Sequence, residues 1–178
     1  MTIATALTFF RLGVALISFV LLMKEQWTFG FIVLFIAVVL DSIDGVLARK
    51  LNDVTTQGIY YDIMVDKIVI IGTFLIVGHK LHPVFFYLGL LMLTREYMMD
   101  TFRSIAASKK VVISADRFSK IKGVLFMISM LWMIGTAAFV NNDPSFQLFG
   151  VVIACLGMLL AIWSLSRFYL KHKGLLTG

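Results

Sequence analysis

Four aspartates carry the first chemical signal in this sequence. Asp41 and Asp44 are spaced i, i+3, and Asp62 and Asp66 are spaced i, i+4. On helices, each pair falls on one face with its side chains a turn apart. Both pairs interrupt apolar stretches at one end. Carrying an ionised side chain into a membrane costs at least about 2.5 kcal/mol on insertion scales, so an intramembrane carboxylate is a functional-site signal by default. Two such helices facing each other gather four carboxylates. Like charges share a low-dielectric site only when protonated or neutralised, and the nearest cations in sequence are Lys67 and Arg49. Bound divalent metal is the natural remedy. Hard oxygen ligands with no His or Cys beside them point to Mg²⁺, Mn²⁺ or Ca²⁺ rather than zinc.

The neighbours of the aspartates add to this. Gly45 and Ala48 continue the stripe of Asp41 and Asp44, and Gly58 precedes Asp62 by the same four-residue interval. Small residues there let a ligand or a partner helix approach the backbone closely. On their own they would read as packing positions; beside four aspartates they read as walls of a site. Arg49 has the planar fork of donors that suits a phosphate.

The elements that must hold these residues follow from composition. The chain has 178 residues, 60% hydrophobic and 15% charged, with a mean hydropathy of +0.96, well above the roughly half-apolar soluble domain. That excludes a soluble globular enzyme. Long unbroken apolar runs, rather than short alternating strands, exclude a membrane β-barrel. The expectation is an all-α integral membrane protein with six transmembrane helices, near 5–23, 29–47, 59–77, 83–99, 123–140 and 146–168, in a single domain over 1–178. Gly30 and Pro83 lie near span starts, and Asn141-Asn142-Asp143-Pro144 reads as a turn. The first run is read as a retained helix rather than a signal peptide.

Six spans put both termini on one side. Under that topology Lys24 and Lys80 stand alone on one face and Lys67 lies just inside the third span, so thirteen of the 16 Lys and Arg fall on the other face. The positive-inside rule makes that face, with both termini, cytoplasmic, and the active site with it. The same placement accounts for the net charge of +6 without nucleic acid. The polar stretch 101–121 is expected to form a cytoplasmic surface element. His79 and His82 fall on the side opposite the aspartates and read as interfacial residues, and Cys155 reads as a small packing residue.

Written out, the segment is Asp41-x2-Asp44-Gly45-x2-Ala48-Arg49-x8-Gly58-x3-Asp62-x3-Asp66. In every fixed position it resembles the signature of the CDP-alcohol phosphatidyltransferases. That resemblance implies a six-helix membrane fold, usually a homodimer, that moves a phosphatidyl or similar group from a CDP-linked donor to an alcohol with release of CMP. It implies two Mg²⁺ or Mn²⁺ ions per active site, held by Asp41, Asp44, Asp62 and Asp66, with Asp66 also the catalytic base. It further implies that Gly45, Ala48, Arg49 and Gly58 line the nucleotide site. An in-line displacement at phosphorus suits paired metals, which stabilise the charge at both ends of the transfer.

The rest of the chain is similar to the branch of that family whose acceptor is glycerol 3-phosphate. Thr8 and Arg11 match its Leu-Thr-x2-Arg opening, which adds Thr8 to the donor site. Thr55, Asp66-Lys67, Arg95-Glu96, Arg103 and Lys120-x-Lys122 recur in its order and spacing. The resemblance implies CDP-diacylglycerol as donor and a small phosphorylated alcohol as acceptor, giving phosphatidylglycerol phosphate, in the inner membrane and among its lipids. A phosphorylated acceptor needs fixed cations, and Lys67, Arg103, Lys120 and Lys122 are the candidates. Ala4-Thr5, Ile63 and Gly123 depart from the branch pattern and leave other acceptors open, phosphatidylglycerol or an inositol phosphate among them. The alternative from another class is a small cation transporter, which requires carboxylates near the bilayer midplane on a path open to both faces.

Overall fold

The computed structural model describes the backbone of residues 3–50, 55–109 and 117–176 and the side chains of 5–41, 55, 57–109 and 121–171. Six helices account for nearly all of it: α1 (Ile3–Met23), α2 (Trp27–Lys50), α3 (Thr56–Lys80), α4 (Pro83–Ser108), α5 (Arg117–Phe139) and α6 (Pro144–Leu176). Among the described residues there is no strand. Among the described residues, three helices carry stretches long and apolar enough to cross a membrane: Thr5–Met23, Ile121–Phe139 and Pro144–Lys171. Along α3 and α4 the apolar run is broken by Asp62, Asp66 and Lys67 and by Arg95, Glu96, Asp100 and Arg103.

Short turns make three antiparallel hairpins, α1–α2, α3–α4 and α5–α6, which close into a ring in the order α1, α2, α5, α6, α4, α3. α3 also touches α5 across the ring. The turn signals lie where the sequence puts them. Pro83 begins α4 after an extended His82, and Asn141 and Asn142 both adopt the left-handed conformation (φ 50° and 58°) that Asn tolerates better than most residues. At the α3–α4 turn the two backbones nearly touch: a Cβ on Gly78 would lie 2.1 Å from the Phe86 backbone nitrogen, so only glycine fits.

The core runs the length of the ring, from Ala15, Ala37 and Val65 through Phe74, Phe85 and Met130 to Ala154 and Met158. Hydroxyls that face inward take helix carbonyls: Ser18 donates to Gly30 at 2.9 Å and Ser129 to Gly150 at 2.8 Å, which joins helices in an apolar medium. Outside, large apolar side chains point away from the bundle on every helix, Phe10 at 62%, Phe29 at 65% and Leu159 at 64% exposed among them. A surface so apolar is a lipid-facing one.

The described part of the polar stretch 101–121 is helical and mostly exposed at 101–109. α4 runs on to Ser108 and α5 begins at Arg117, while 110–116 lie outside the described residues. Thr101 and Ser108 return their hydroxyls to carbonyls of their own helix, on Tyr97 at 2.9 Å and Ile105 at 2.7 Å, so polar composition here did not mean a break.

Candidate active site

α3 is started by Thr55, whose backbone is extended and whose hydroxyl accepts a hydrogen bond from the Gly58 N–H at 3.1 Å. This side-chain cap fixes the helix register. Gly58 also faces α1, where a Cβ would come within 3.7 Å of the Thr5 hydroxyl. The next two turns of α3 carry Asp62 and Asp66 on one face, towards α1 and α2. From α2 comes Asp41. One carboxylate oxygen from each of Asp41, Asp62 and Asp66 lies within 4.8 Å of the others, so the expected convergence is realised for these three. The Asp44 side chain lies outside the described residues.

The cation that makes this cluster tolerable is Arg11 of α1, which is 2% exposed. Its Nη2 donates to Asp66 Oδ1 at 2.8 Å and lies 3.4 Å from Asp62 Oδ1, and its Nη1 pairs with Asp41. Sequence proximity had pointed to Lys67 and Arg49 instead, and for Lys67 that is corrected. The Lys67 ammonium turns to Asp100 at 2.5 Å, with Glu96 at 3.7 Å. The reason is helical geometry: adjacent residues face different ways, so Lys67 cannot share the face of Asp66. The Arg49 side chain lies outside the described residues. One signal for Arg11 was available, a single charge inside an apolar run one turn after Thr8, which is itself buried at 4% exposure.

Beside the cluster is a cavity of about 320 Å³ between α2, α3 and α5. Arg11, Asp41 and Asp66 form its polar wall; Ala37, Val38, Val69, Ile70, Val124, Met127 and Met130 form the rest. At 1.5 Å per residue the cluster lies roughly 9–15 Å in from the starts of α1 and α3, at one end of the bundle. His79 and His82 sit at the opposite end, at the α3–α4 turn.

A second charged group centres on α4. Glu96 of α4 accepts hydrogen bonds from Arg95 Nη1 and from Lys122 Nζ of α5, each at 2.5 Å. Arg95 and Lys122 are 5% and 7% exposed, and Arg95 Nε also donates to the Ala161 carbonyl of α6 at 3.3 Å. Lys67 and Lys122 are thus gathered at one carboxylate, and partly buried Arg103 is near enough to Lys122 to act on it electrostatically. The Lys120 side chain lies outside the described residues, as do those of Gly45, Ala48 and Arg49 at the end of α2.

The donor set fits a hard divalent cation. It is all oxygen, and a spacing within 4.8 Å is close to the roughly 4.2 Å that separates opposite ligands on one Mg²⁺. A bundle of apolar helices carrying a carboxylate cluster beside an apolar-walled cavity has the layout of a membrane-embedded enzyme for an amphiphile with an anionic head. The chain belongs to the CDP-alcohol phosphatidyltransferase family, whose sequence model matches residues 1–163, and it is therefore a transferase.

Curated relatives are named CDP-diacylglycerol–glycerol-3-phosphate 3-phosphatidyltransferase. That of Wigglesworthia glossinidia brevipalpis is 30% identical over 141 residues, 74% of this chain and 78% of that protein. That of Bacillus subtilis (strain 168) is 28% identical over 135 residues, 75% of this chain and 66% of the relative. That of Mycoplasma genitalium is 30% identical over 133 residues, 74% of this chain but only 51% of the longer relative.

Proposed function

We propose that this protein transfers the phosphatidyl group of CDP-diacylglycerol to glycerol 3-phosphate, giving phosphatidylglycerol phosphate and CMP. The observation that carries the reading is the convergence of Asp41, Asp62 and Asp66 beside a cavity whose other walls are apolar. The family membership and the relatives' names supply the reaction class. One membrane domain spans residues 1–178 and crosses the inner membrane six times, with both termini and the active site on the cytoplasmic side, where the Lys and Arg asymmetry puts them. It works as a homodimer among membrane lipids.

Two divalent cations, Mg²⁺ or Mn²⁺, held by Asp41, Asp44, Asp62 and Asp66, would neutralise the donor pyrophosphate and the charge that builds on departing CMP. Thr8, Gly45, Ala48, Arg49 and Gly58 line the nucleotide side. The apolar walls of the cavity take the lipid part of the donor and keep bulk water from the reacting phosphorus. Lys67, Arg103, Lys120 and Lys122 hold the acceptor's phosphate and bring its hydroxyl towards the diacylglycerol-bearing phosphorus. A new P–O bond forms to that hydroxyl oxygen as the bond to CMP breaks. Asp66 takes the hydroxyl proton; its Oδ1 accepts from Arg11, which leaves Oδ2 for the proton.

The test is CMP release from CDP-diacylglycerol by the purified protein with Mg²⁺ and one acceptor at a time: glycerol 3-phosphate, phosphatidylglycerol, inositol, inositol phosphate or serine. Turnover with glycerol 3-phosphate far above the rest is expected. Preference for another acceptor would move the chain to a different branch of its family.

A further inference from the structure

Three cations from three different helices meet at Glu96, and the reaction outlined above assigns no role to that carboxylate. Lys67 comes from α3, Arg95 from α4 and Lys122 from α5. Lys67 follows Asp66 in the chain, and Lys122 precedes Gly123, which lines the cavity beside the aspartates. The cluster therefore stands directly next to the reaction site on two of its helices. Arg103, seven residues after Glu96, shares its face of α4.

The formal charge is unbalanced. Among the described residues, Lys67, Arg95, Lys122 and Arg103 stand against Glu96 and Asp100, a surplus of two positive charges. Such a surplus suits a phosphate monoester, which carries about −2 near neutral pH. Lysine side chains are long and lose much rotamer freedom when fixed, so two of them do not hold a common geometry unaided. A single carboxylate that accepts a hydrogen bond from Lys122 at 2.5 Å and stands 3.7 Å from the Lys67 ammonium, which Asp100 holds from its other side, does fix their common geometry.

From this geometry we infer that Glu96 is a positioning residue for the acceptor: it pre-assembles Lys67, Arg95 and Lys122 into a cationic cradle for a phosphate dianion, and so sets selectivity for a phosphorylated over an uncharged acceptor. The inference rests on the proposed transfer to a phosphorylated alcohol. Glutamine at this position accepts a hydrogen bond but balances none of the three charges. The buried Lys122 ammonium, deprived of that charge, turns out to water or loses its own, and either way it is lost to the phosphate.

The experiment is steady-state kinetics on Glu96→Gln, Glu96→Asp and Lys122→Ala, each checked for a monodisperse profile in detergent, with glycerol 3-phosphate and glycerol compared as acceptors. Expected for Glu96→Gln is a rise of about tenfold or more in KM for glycerol 3-phosphate, with the KM for CDP-diacylglycerol within twofold. Its preference for glycerol 3-phosphate over glycerol should narrow by a similar factor. Glu96→Asp, one methylene shorter with the charge kept, should recover most of both. If Lys122→Ala raises the acceptor KM and Glu96→Gln does not, the inference is overturned and the acceptor site stands. If neither substitution moves it, the acceptor site itself is wrong and the inference falls with it. Equal losses for both substrates in Glu96→Gln, unrelieved by aspartate, would make Glu96 a structural ion-pair partner only. Should the glutamine variant fail to fold, Glu96→Asp carries the test, and an acceptor KM unchanged from wild type refutes the inference.

Discussion

Replacing Arg11 with glutamine removes the one described side chain that bonds to Asp41 and Asp66 and reaches Asp62 as well. The three carboxylates offer oxygens within 4.8 Å of one another. At an effective dielectric of 20, two unit charges 4.8 Å apart repel by about 3.5 kcal/mol, so three ionised pairs hold about 10 kcal/mol of repulsion that Arg11 offsets in the metal-free protein. Not all of it would appear, because protonation and water entry relieve part. Removing one partner of a fully buried ion pair typically destabilises by about 3–5 kcal/mol; with the three carboxylates 28–45% exposed, the lower end of that range, about 3 kcal/mol, is expected. For a domain of this size that corresponds to a fall of roughly 10 °C in the thermal transition. A divalent cation supplies the missing charge, so the loss should be largely restored by Mg²⁺. The assay is thermal unfolding of wild type and Arg11→Gln in detergent, with chelator and with Mg²⁺. A large drop in chelator and a small one in Mg²⁺ is expected. An equal drop under both conditions would refute the electrostatic account and leave Arg11 as a packing residue.

Other expectations can be checked alongside. Asp66→Asn should lose about 10² or more of the turnover rate while CDP-diacylglycerol binding stays measurable by competition, since the acidic proton acceptor is gone and the shape is kept. Chelator should abolish CMP release and added Mg²⁺ or Mn²⁺ restore it; full turnover in chelator would remove the metal role. Gly78→Ala drives a Cβ to within 2.1 Å of the Phe86 backbone nitrogen; an overpacking loss of about 1–3 kcal/mol should lower the thermal transition, with turnover per folded molecule unchanged. At the opposite end of the bundle, Lys80 at 2.8 Å holds the exposed Glu25 carboxyl below the ordinary carboxylate range. A carboxyl lowered in the folded state stabilises above its ordinary value and loses that contribution as pH falls through the lowered one. Glu25→Gln should therefore be slightly less stable than wild type at pH 7 and equal to it in strong acid, by thermal unfolding at the two pH values.

Much of the fold was legible because apolar runs and breakers are local signals. Pro83 and Asn141-Asn142 lie where turns were expected, and the i, i+4 spacing of Asp62 and Asp66 fixed their common face before any helix was seen. The partners across helices were less legible. Nothing in the spacing tells that α1 delivers Arg11 to carboxylates on α2 and α3, and an argument from chain proximity chose Lys67 instead. Arg95 and Glu96 are adjacent in the chain, and nothing in that adjacency tells that Glu96 is also the partner of Lys122 on α5. Polar composition over 101–121 did not tell where the helix ends: α4 continues to Ser108, because a helix end that leaves the apolar layer needs no hydrophobic face on every side.

The central claim, that the aspartates of α2 and α3 form a divalent-metal cradle for a cytidylyl lipid's pyrophosphate, is tested most directly by anomalous scattering from crystals grown with Mn²⁺ and CDP-diacylglycerol. The account predicts two manganese peaks among Asp41, Asp44, Asp62 and Asp66, both within about 2.3 Å of carboxylate oxygens and in contact with the pyrophosphate. Manganese bound elsewhere, or a nucleotide lodged away from these four residues, would contradict it.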